Sequence, residues 1–167
     1  AFVEGALPFE TVRAEWMGSK KNYDIVRTIE VLRAAPSRVK PECPYFGICG
    51  GCAMQHLHPR SQVAIKQRVL EDNLQRIGRV KAESMLRPIM GPTWGYRYRA
   101  RMSARYVEKK GGVLIGLHEK HARFRVDMTS CKILPPHVSD ALPALRELVG
   151  GLSIRDKMPQ IEVAVGQ

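Results

Sequence analysis

Cys43-Pro44-Tyr45-Phe46-Gly47-Ile48-Cys49-Gly50-Gly51-Cys52 is the stretch that decides how the rest of the chain can be arranged. It carries three of the four cysteines of the chain, spaced C-x5-C-x2-C, and the fourth is Cys131, far downstream. Two glycines fill the second gap, where their tolerance of positive φ lets a backbone turn tightly around an ion or a cluster. If Cys131 joins the other three, binding closes a long loop and the site is structural. We therefore predict that one metal centre is held by Cys43, Cys49, Cys52 and Cys131.

Three kinds of site compete for these cysteines. Disulfides need an oxidising compartment, and four cysteines allow three connectivities. Structural zinc usually uses two short paired knuckles, whereas this pattern is three plus one. A [4Fe–4S] cluster commonly takes a tight run of three cysteines and a remote fourth, so the spacing favours a cluster. Because four cysteines would occupy every iron, we expect a closed cluster rather than one that generates radicals.

The charge balance of the chain points to a polyanionic partner. The 167 residues include 27 Lys+Arg against 16 Asp+Glu, a formal charge of +11 at pH 7. Nucleic acid is the first expectation, and a basic protein without such a partner is the alternative. Apolar residues make up 44% of the chain, enough for a packed core, so global disorder is excluded.

Targeting signals are not evident at the sequence level. No stretch approaches the roughly 18 consecutive apolar residues of a membrane span, and the first residues lack the basic and apolar regions of a signal peptide. We therefore expect a cytoplasmic protein with no membrane partner, and a monomer. The first residue is not Met, and the last strand-like run stops at the final residue, so we also expect a fragment of a longer protein.

The order of patterns predicts an α+β fold. Residues 1–35 are typical of short strands with polar turns, which suits the remnant of an OB-like β-barrel that grips single-stranded nucleic acid, or a strand pair with no binding role. Residues 36–167 are predicted to form a second domain, with the cysteine knuckle, a helix and an antiparallel sheet. Its predicted elements are a helix over 60–77 after Pro59, strands near 96–107, 113–118 and 121–127, a helix over 137–150 and a strand over 160–165.

A strictly alternating run over 94–107 carries the candidate nucleic-acid contacts. Four arginines share one parity and would project from one face of a strand: Arg97, Arg99, Arg101 and Arg105. Guanidinium groups on one face repel each other, and phosphate matches the guanidinium fork. The run therefore predicts contact with RNA or DNA, the alternative being salt bridges to acidic neighbours.

Other chemistry is scarce in this sequence. His56 and His58 follow the knuckle, but with four thiolates available they are expected to support the site or lie on the surface rather than to ligate metal. The chain has no G-x-G-x-x-G and no P-loop signature. If all four cysteines bind the cluster, no thiol remains as a nucleophile.

The motif Cys-Pro-x4-Cys-Gly-Gly-Cys-x2-Gln-His over Cys43–His56 resembles the iron–sulfur motif of the bacterial 23S rRNA uracil-C5 methyltransferases of the RlmD (RumA) type. The resemblance continues at Lys66-Gln67-Arg68 and at Tyr96-Arg97-Tyr98-Arg99, and Cys131 falls where the fourth ligand is expected. Residues 2–8 and 12–14 are similar to the later part of a TRAM domain, an OB-like RNA-binding barrel.

The resemblance implies a [4Fe–4S] cluster, a ribosomal RNA partner and S-adenosylmethionine as the methyl donor of the parent protein. In that family a cysteine thiolate adds to C6 of a flipped-out uracil, C5 takes the methyl group, and a general base removes the C5 proton. That machinery lies in a C-terminal Rossmann-like domain, which this sequence does not reach. We therefore expect no catalytic residue here. The alternatives are a non-enzymatic zinc-stabilised RNA-binding module and an iron–sulfur electron carrier, whose acidic or apolar docking face is not evident.

Overall fold

The computed structural model describes residues 1–166, and within them the backbone forms two compact units. The first unit comprises residues 1–40 and 56–81, and the second comprises residues 41–55 together with the chain from residue 82 onward. Each unit contains one three-stranded sheet. The α+β class is confirmed, whereas the OB-like barrel, the cluster-binding knuckle and the division into 1–35 and 36–167 stay predictions.

The sheet of the first unit is formed by β1 (Phe2–Glu4), β2 (Thr11–Lys20) and β3 (Tyr23–Arg33) in the order β1-β3-β2. β2 and β3 form an antiparallel hairpin, and β1 pairs with β3 in parallel. The ladder of the hairpin shifts register at three points, as β-bulges do when they increase local twist. No residue of these three strands is buried.

A buried ion pair ties together the loops of the first unit. The Glu10 carboxylate accepts hydrogen bonds from the Arg38 guanidinium and from the backbone N–H groups of Leu7 and Ala35. Arg38 also donates to the Gly5 carbonyl at 2.7 Å. The Arg38 hydrogen bond is the main reason that the pKa of Glu10 falls from 4.5 to about 2, and it outweighs the opposing effect of burial. These bonds fix the turn between β1 and β2.

The helix predicted over 60–77 is confirmed as α1 (Pro59–Arg76). Pro59 stands in its first turn, where the missing N–H costs nothing. His58 precedes it as the N-cap, its Nδ1 accepting from the Arg60 N–H at 3.3 Å. The helix ends one residue before Ile77, and the Gly78 N–H bonds back to Asn73. No α1 side chain is buried, and no helix within the described residues has the length and apolarity needed to cross a bilayer.

The second unit is built on β4 (Arg99–Val107), β5 (Gly112–Gly116) and β6 (Gln160–Ala164), antiparallel in the order β5-β4-β6. Gly111 closes the β4–β5 hairpin with φ +65°, a conformation that favours glycine. One face of the sheet is buried in the core of the unit. The core residues of β4 and β5 are Ala100, Met102, Ala104, Val113 and Ile115, and they pack with Val126, Met128, Ile133, Leu134, Leu142 and Val149.

Two sequence expectations in this unit are wrong in detail. The segment predicted as a strand over 121–127 is not a strand of the sheet: it makes one isolated bridge, between His118 and Arg125, and its Val126 N–H donates to the Leu117 carbonyl. The third strand of the sheet is β6. The helix predicted over 137–150 is two helices, α2 (Pro136–Asp140) and α3 (Leu142–Gly150), separated at Ala141. The break lies next to Pro143, which cannot donate the hydrogen bond that would continue a single helix.

Candidate metal centre and nucleic-acid interface

The cysteine-rich loop of the second unit is a compact series of turns. The Cys43 carbonyl accepts from the Phe46 N–H at 3.1 Å, and the Tyr45 carbonyl accepts from the N–H groups of Ile48 and Cys49. Gly47 lies between them with φ +90°. These short bonds turn Cys49 inward, where it is 7% exposed.

Gly50 and Gly51 are required here for a different reason from the one the sequence suggested. Neither residue adopts a positive φ, whereas Gly47 of the same loop does. Both instead lie against the segment after β5: a Cβ on Gly50 would stand 3.1 Å from the His118 carbonyl oxygen. A Cβ on Gly51 would stand 2.5 Å from Leu117 Cδ1. The glycines therefore allow close approach of two backbone segments.

Backbone hydrogen bonds hold this close approach in place. The Gly50 N–H donates to the His118 carbonyl at 2.9 Å, and the Lys120 N–H donates to the Ile48 carbonyl at 2.8 Å. An amide contact to sulfur is also present, because the Gly51 N–H donates to Cys49 Sγ at 3.4 Å. A thiolate at this position would thus be partly stabilised before any metal arrives.

Cys131 is positioned by a second set of contacts. Its N–H donates to the Ser139 hydroxyl at 2.9 Å inside the core, and its carbonyl accepts from the Leu134 N–H at 3.1 Å. The Tyr45 hydroxyl, from the cysteine loop, accepts from the Thr129 N–H at 2.9 Å. Tyr45 and Ser139 were not predicted from the sequence, because a single tyrosine or serine carries no spacing signal.

The structure brings the four predicted ligands to one cavity. It is lined by Cys43, Cys49, Cys52 and Cys131, with Phe46, Gln55, Leu117, Met128, Lys132 and Ile133. Burial raises the pKa of the Cys49 thiol and of the Cys131 thiol, and the charges of Cys52 and Cys43 raise both further. The pKa of each buried thiol is therefore raised by negative charge on the sulfurs of Cys43 and Cys52.

The donor set suits a thiophilic metal. Four thiolates are the ligand set of structural zinc and of iron–sulfur clusters, and they do not suit Mg²⁺ or Ca²⁺. Over residues 1–166, no three His, Cys, Asp or Glu side chains already stand in the geometry of a metal site. Three features make these residues suitable for such a metal: the shared cavity, the chemistry of the four sulfurs and the Gly51 N–H that donates to Cys49 Sγ.

The predicted arginine face is present along β4. Ala100, Met102 and Ala104 point into the core, so the residues between them face outward. Arg99, Arg101 and Arg105 are exposed on that outer face. Arg101 forms an ion pair with Glu162 of β6 at 2.8 Å, the salt-bridge alternative raised by the sequence. No ion pair of Arg99 or Arg105 occurs among the ion pairs of the described part of the chain.

Arg97 stands apart from the other three arginines. It lies before the first residue of β4 and is half-buried rather than exposed. Its Nε donates to the Arg99 carbonyl at 3.2 Å, and its N–H donates to the Ile133 carbonyl at 2.8 Å. Its side chain lines a second cavity, which Cys131 also lines. The sequence grouped Arg97 with the RNA-facing arginines, whereas in the structure it lines a cavity together with Cys131.

Comparison with known proteins was made by sequence and by structure. No family model matches the chain. A curated relative from Cupriavidus pinatubonensis, the 23S rRNA (uracil(1939)-C(5))-methyltransferase RlmD, is 62% identical over 165 residues, which are 99% of this chain. The protein of the same name from Burkholderia lata is 59% identical over the same share. By sequence, nearly the whole of this chain is similar to one segment of these RlmD methyltransferases.

The chain spans about a third of the length of these RlmD relatives, since it covers 36% of each. The structure is also similar to that of the Pyrococcus abyssi tRNA (uracil-54, C5)-methyltransferase in complex with S-adenosyl-L-homocysteine. The TM-score is 0.55 at 24% identity, over 88% of this chain and 31% of that chain, so this likeness concerns the fold alone. The resemblance to the bacterial 23S rRNA uracil-C5 methyltransferases that the sequence motifs indicated is thus confirmed over 99% of this chain.

Proposed function

We propose that this chain is the RNA-recognition and iron–sulfur portion of an S-adenosylmethionine-dependent methyltransferase that acts on a uracil C5 of 23S rRNA. The carrying observation is that four cysteines from two distant segments line one cavity in a chain that matches the RlmD proteins along nearly its whole length. Residues 1–35 would be the later part of a TRAM domain. The protein would be a cytoplasmic monomer.

The proposed ligands of a [4Fe–4S] cluster are Cys43, Cys49, Cys52 and Cys131. When bound, such a cluster would supply four strong bonds that clip the cysteine loop to the segment after residue 128. The protein contributes the turns around Tyr45, the close approach at Gly50 and Gly51, and the Ser139 hydroxyl that fixes the Cys131 backbone. The role proposed for the centre is structural, and no step of methyl transfer is assigned to it.

The proposed RNA surface is the outer face of β4. Arg99 and Arg105 are exposed there, and the chain as a whole carries a formal charge of +11. Phosphate oxygens accept bidentate hydrogen bonds from a guanidinium, so a strand with two such groups can follow a nucleic-acid backbone. Arg101 belongs to the same face, but it would have to exchange Glu162 for a phosphate.

Catalysis is proposed to require the remaining length of the RlmD proteins. No residue of this chain is assigned as nucleophile, general base or ligand of S-adenosylmethionine. The chain alone is therefore expected to bind rRNA fragments without transferring a methyl group, while the whole protein transfers it. Methylation of 23S rRNA by the chain alone, measured with a radiolabelled methyl donor, would contradict this assignment.

The metal proposal is tested by purifying the protein anaerobically and measuring iron, sulfide and zinc. We expect brown protein with about four iron and four sulfide per chain. Colourless protein with about one zinc would instead favour the zinc-stabilised RNA-binding module. Protein that holds neither iron nor zinc after reconstitution would refute the proposed metal centre.

The RNA proposal is tested by the salt dependence of binding to an rRNA fragment. Arg99→Ala and Arg105→Ala should each weaken binding and lower the slope of log K against log[salt] by about one. Lys20→Ala is the matched control, because it removes one positive charge at the exposed end of β2, away from the proposed RNA surface. Slopes that are unchanged in both β4 variants would remove this strand from the RNA surface.

A further inference from the structure

Arg97 and Lys132 are the two cations that line the cysteine cavities, and they differ in their pairing. Lys132 lines the cavity of the four cysteines, but its Nζ lies 3.6 Å from a carboxylate oxygen of Glu42. Arg97 lines the adjacent cavity together with Cys131. Over residues 1–166, no carboxylate pairs with Arg97 among the ion pairs of the structure. Within residues 1–166, the Arg97 guanidinium thus has no ion-pair partner.

The hydrogen bonds of Arg97 keep that charge beside the cysteines. The Arg97 N–H donates to the carbonyl of Ile133, which lies two residues after Cys131 in the sequence. This bond holds the Arg97 backbone close to the Cys131 segment. The bond from the Arg97 Nε to the Arg99 carbonyl, at 3.2 Å, restrains the position of the guanidinium.

A centre held by four thiolates is anionic. Four thiolates around one zinc ion, or around an oxidised [4Fe–4S] core, carry a net charge of about −2. In a half-buried site such a charge is poorly solvated, so a fixed cation nearby stabilises the loaded state. An arginine suits this position because it stays charged at any pH at which the protein is folded.

We propose that Arg97 is the counter-charge of the four-cysteine centre and that it does not belong to the RNA-contacting arginines. Arg97 is a positioning residue, since it acts on the centre through charge and does not ligate the metal. This inference depends on the proposed metal centre, and it divides the four-arginine run by role. Arg97 serves the metal, whereas Arg99 and Arg105 serve the nucleic acid.

The test compares Arg97→Gln with Arg99→Gln, which removes the same charge two residues later on the exposed face. Metal retention is measured as the rate of cluster loss to a chelator, and as the affinity of the reconstituted protein for Zn²⁺ alone. Arg97→Gln should weaken metal binding about tenfold or more, the usual size of an outer-sphere effect. It should also move the reduction potential of an iron–sulfur form to a more negative value, because removing a cation disfavours adding an electron. Arg99→Gln should leave both unchanged and should lower the salt slope of RNA binding.

Arg97→Lys keeps the charge and loses the guanidinium fork, so it should retain metal close to wild type. A folded Arg97→Lys whose metal binding is tenfold or more weaker than wild type would overturn the counter-charge role, whether or not Arg97→Gln folds. Wild-type metal retention in a folded Arg97→Gln would overturn it as well. Wild-type protein that binds neither iron nor Zn²⁺ would be a different result, because it would first refute the metal centre itself.

Discussion

The two sheets of this protein have the same number of strands and opposite construction. In the first unit, β1, β2 and β3 bury no side chain at all. In the second unit, β4 buries every second residue from Ala100 to Ala104, and β5 buries four of its five residues. The first sheet thus depends on its backbone ladder and on side-chain ion pairs, whereas the second depends on a core.

The difference explains where a precise site can be built. Four sulfurs on two segments can share a cavity only if both segments are held firmly, and the core of the second unit provides this through contacts such as that of Ser139 with Cys131. The first sheet offers charge and exposed surface instead. Stability should accordingly be unevenly distributed between the units, and substitutions can measure the difference.

The largest difference in unfolding free energy is expected when a methionine is replaced by alanine in each of the two sheets. Met102→Ala, in β4, empties a site that is 1% exposed and should destabilise the second unit by about 2–5 kcal/mol. Met17→Ala, in β2, acts on a side chain that is 50% exposed and should cost less than about 1 kcal/mol. Urea unfolding can be followed with one tryptophan per unit, Trp16 or Trp94. Equal costs at the two methionines would contradict the contrast.

A second contrast lies within β5. A Cβ on Gly116 would stand 2.0 Å from the Val126 carbonyl oxygen, so Gly116→Ala must displace backbone and should cost about 3 kcal/mol. A Cβ on Gly112 meets no atom within 4 Å, and Gly112→Ala should change stability by less than about 1 kcal/mol. Thermal unfolding of the two variants measures both effects. A folded Gly116→Ala of wild-type stability would mean that β5 does not lie against residue 126.

The strongest single interaction of the first unit should be the Glu10–Arg38 pair. Because the folded pKa of Glu10 is about 2 against 4.5 unfolded, its contribution is complete above about pH 4.5 and disappears as the pH falls toward 2. Glu10→Gln should destabilise the first unit by about 2 kcal/mol at pH 7 and by much less at pH 2. Unfolding of the wild type and the variant across this pH range is the measurement. A difference that does not shrink in acid would show that charge is not the cause.

The smallest effect is expected for the exposed ion pairs across β2 and β3. The Arg13 guanidinium lies 2.6 Å from the Glu30 carboxylate, but both side chains are at least half exposed. A double-mutant cycle with alanine should give a coupling below about 1 kcal/mol, smaller still in 1 M salt. A coupling of several kcal/mol would mean that surface charge contributes far more to the first sheet than its exposure implies.

Local patterns in the sequence predicted much of this fold. The predicted alternation is confirmed from Arg99 to Arg105 of β4, because a strand with one buried face must alternate. Pro59 lies in the first turn of α1, as its position predicted. The prediction of a single helix over 137–150 was wrong because it was based on the spacing of apolar residues, which does not reflect that Pro143 lacks the backbone N–H needed to continue a helix. The strand over 121–127 was wrong because this segment meets the chain after β5 at one bridge and a few backbone hydrogen bonds, without a continuous ladder, and β-propensity does not encode the length of a ladder.

The candidate site was predictable only in part for a related reason. The cysteine spacing predicted that Cys131 joins the other three, and all four now line one cavity. The contacts of Tyr45 and Ser139 depend on tertiary packing, which no spacing encodes. The assignment of Arg97 to the same face by parity stays a prediction, because β4 begins only at Arg99 and side-chain alternation is defined only within a strand.

The most direct test of the central claim is native mass spectrometry of anaerobically prepared wild type and Cys131→Ser, with Ser130→Ala as the neighbouring control. If one centre unites the cysteine loop with Cys131, wild type and Ser130→Ala should carry the mass of one intact cluster of about four iron and four sulfide. Cys131→Ser should lose iron or the whole cluster. An intact cluster of unchanged stability in Cys131→Ser would contradict the claim that the four cysteines hold a single metal centre.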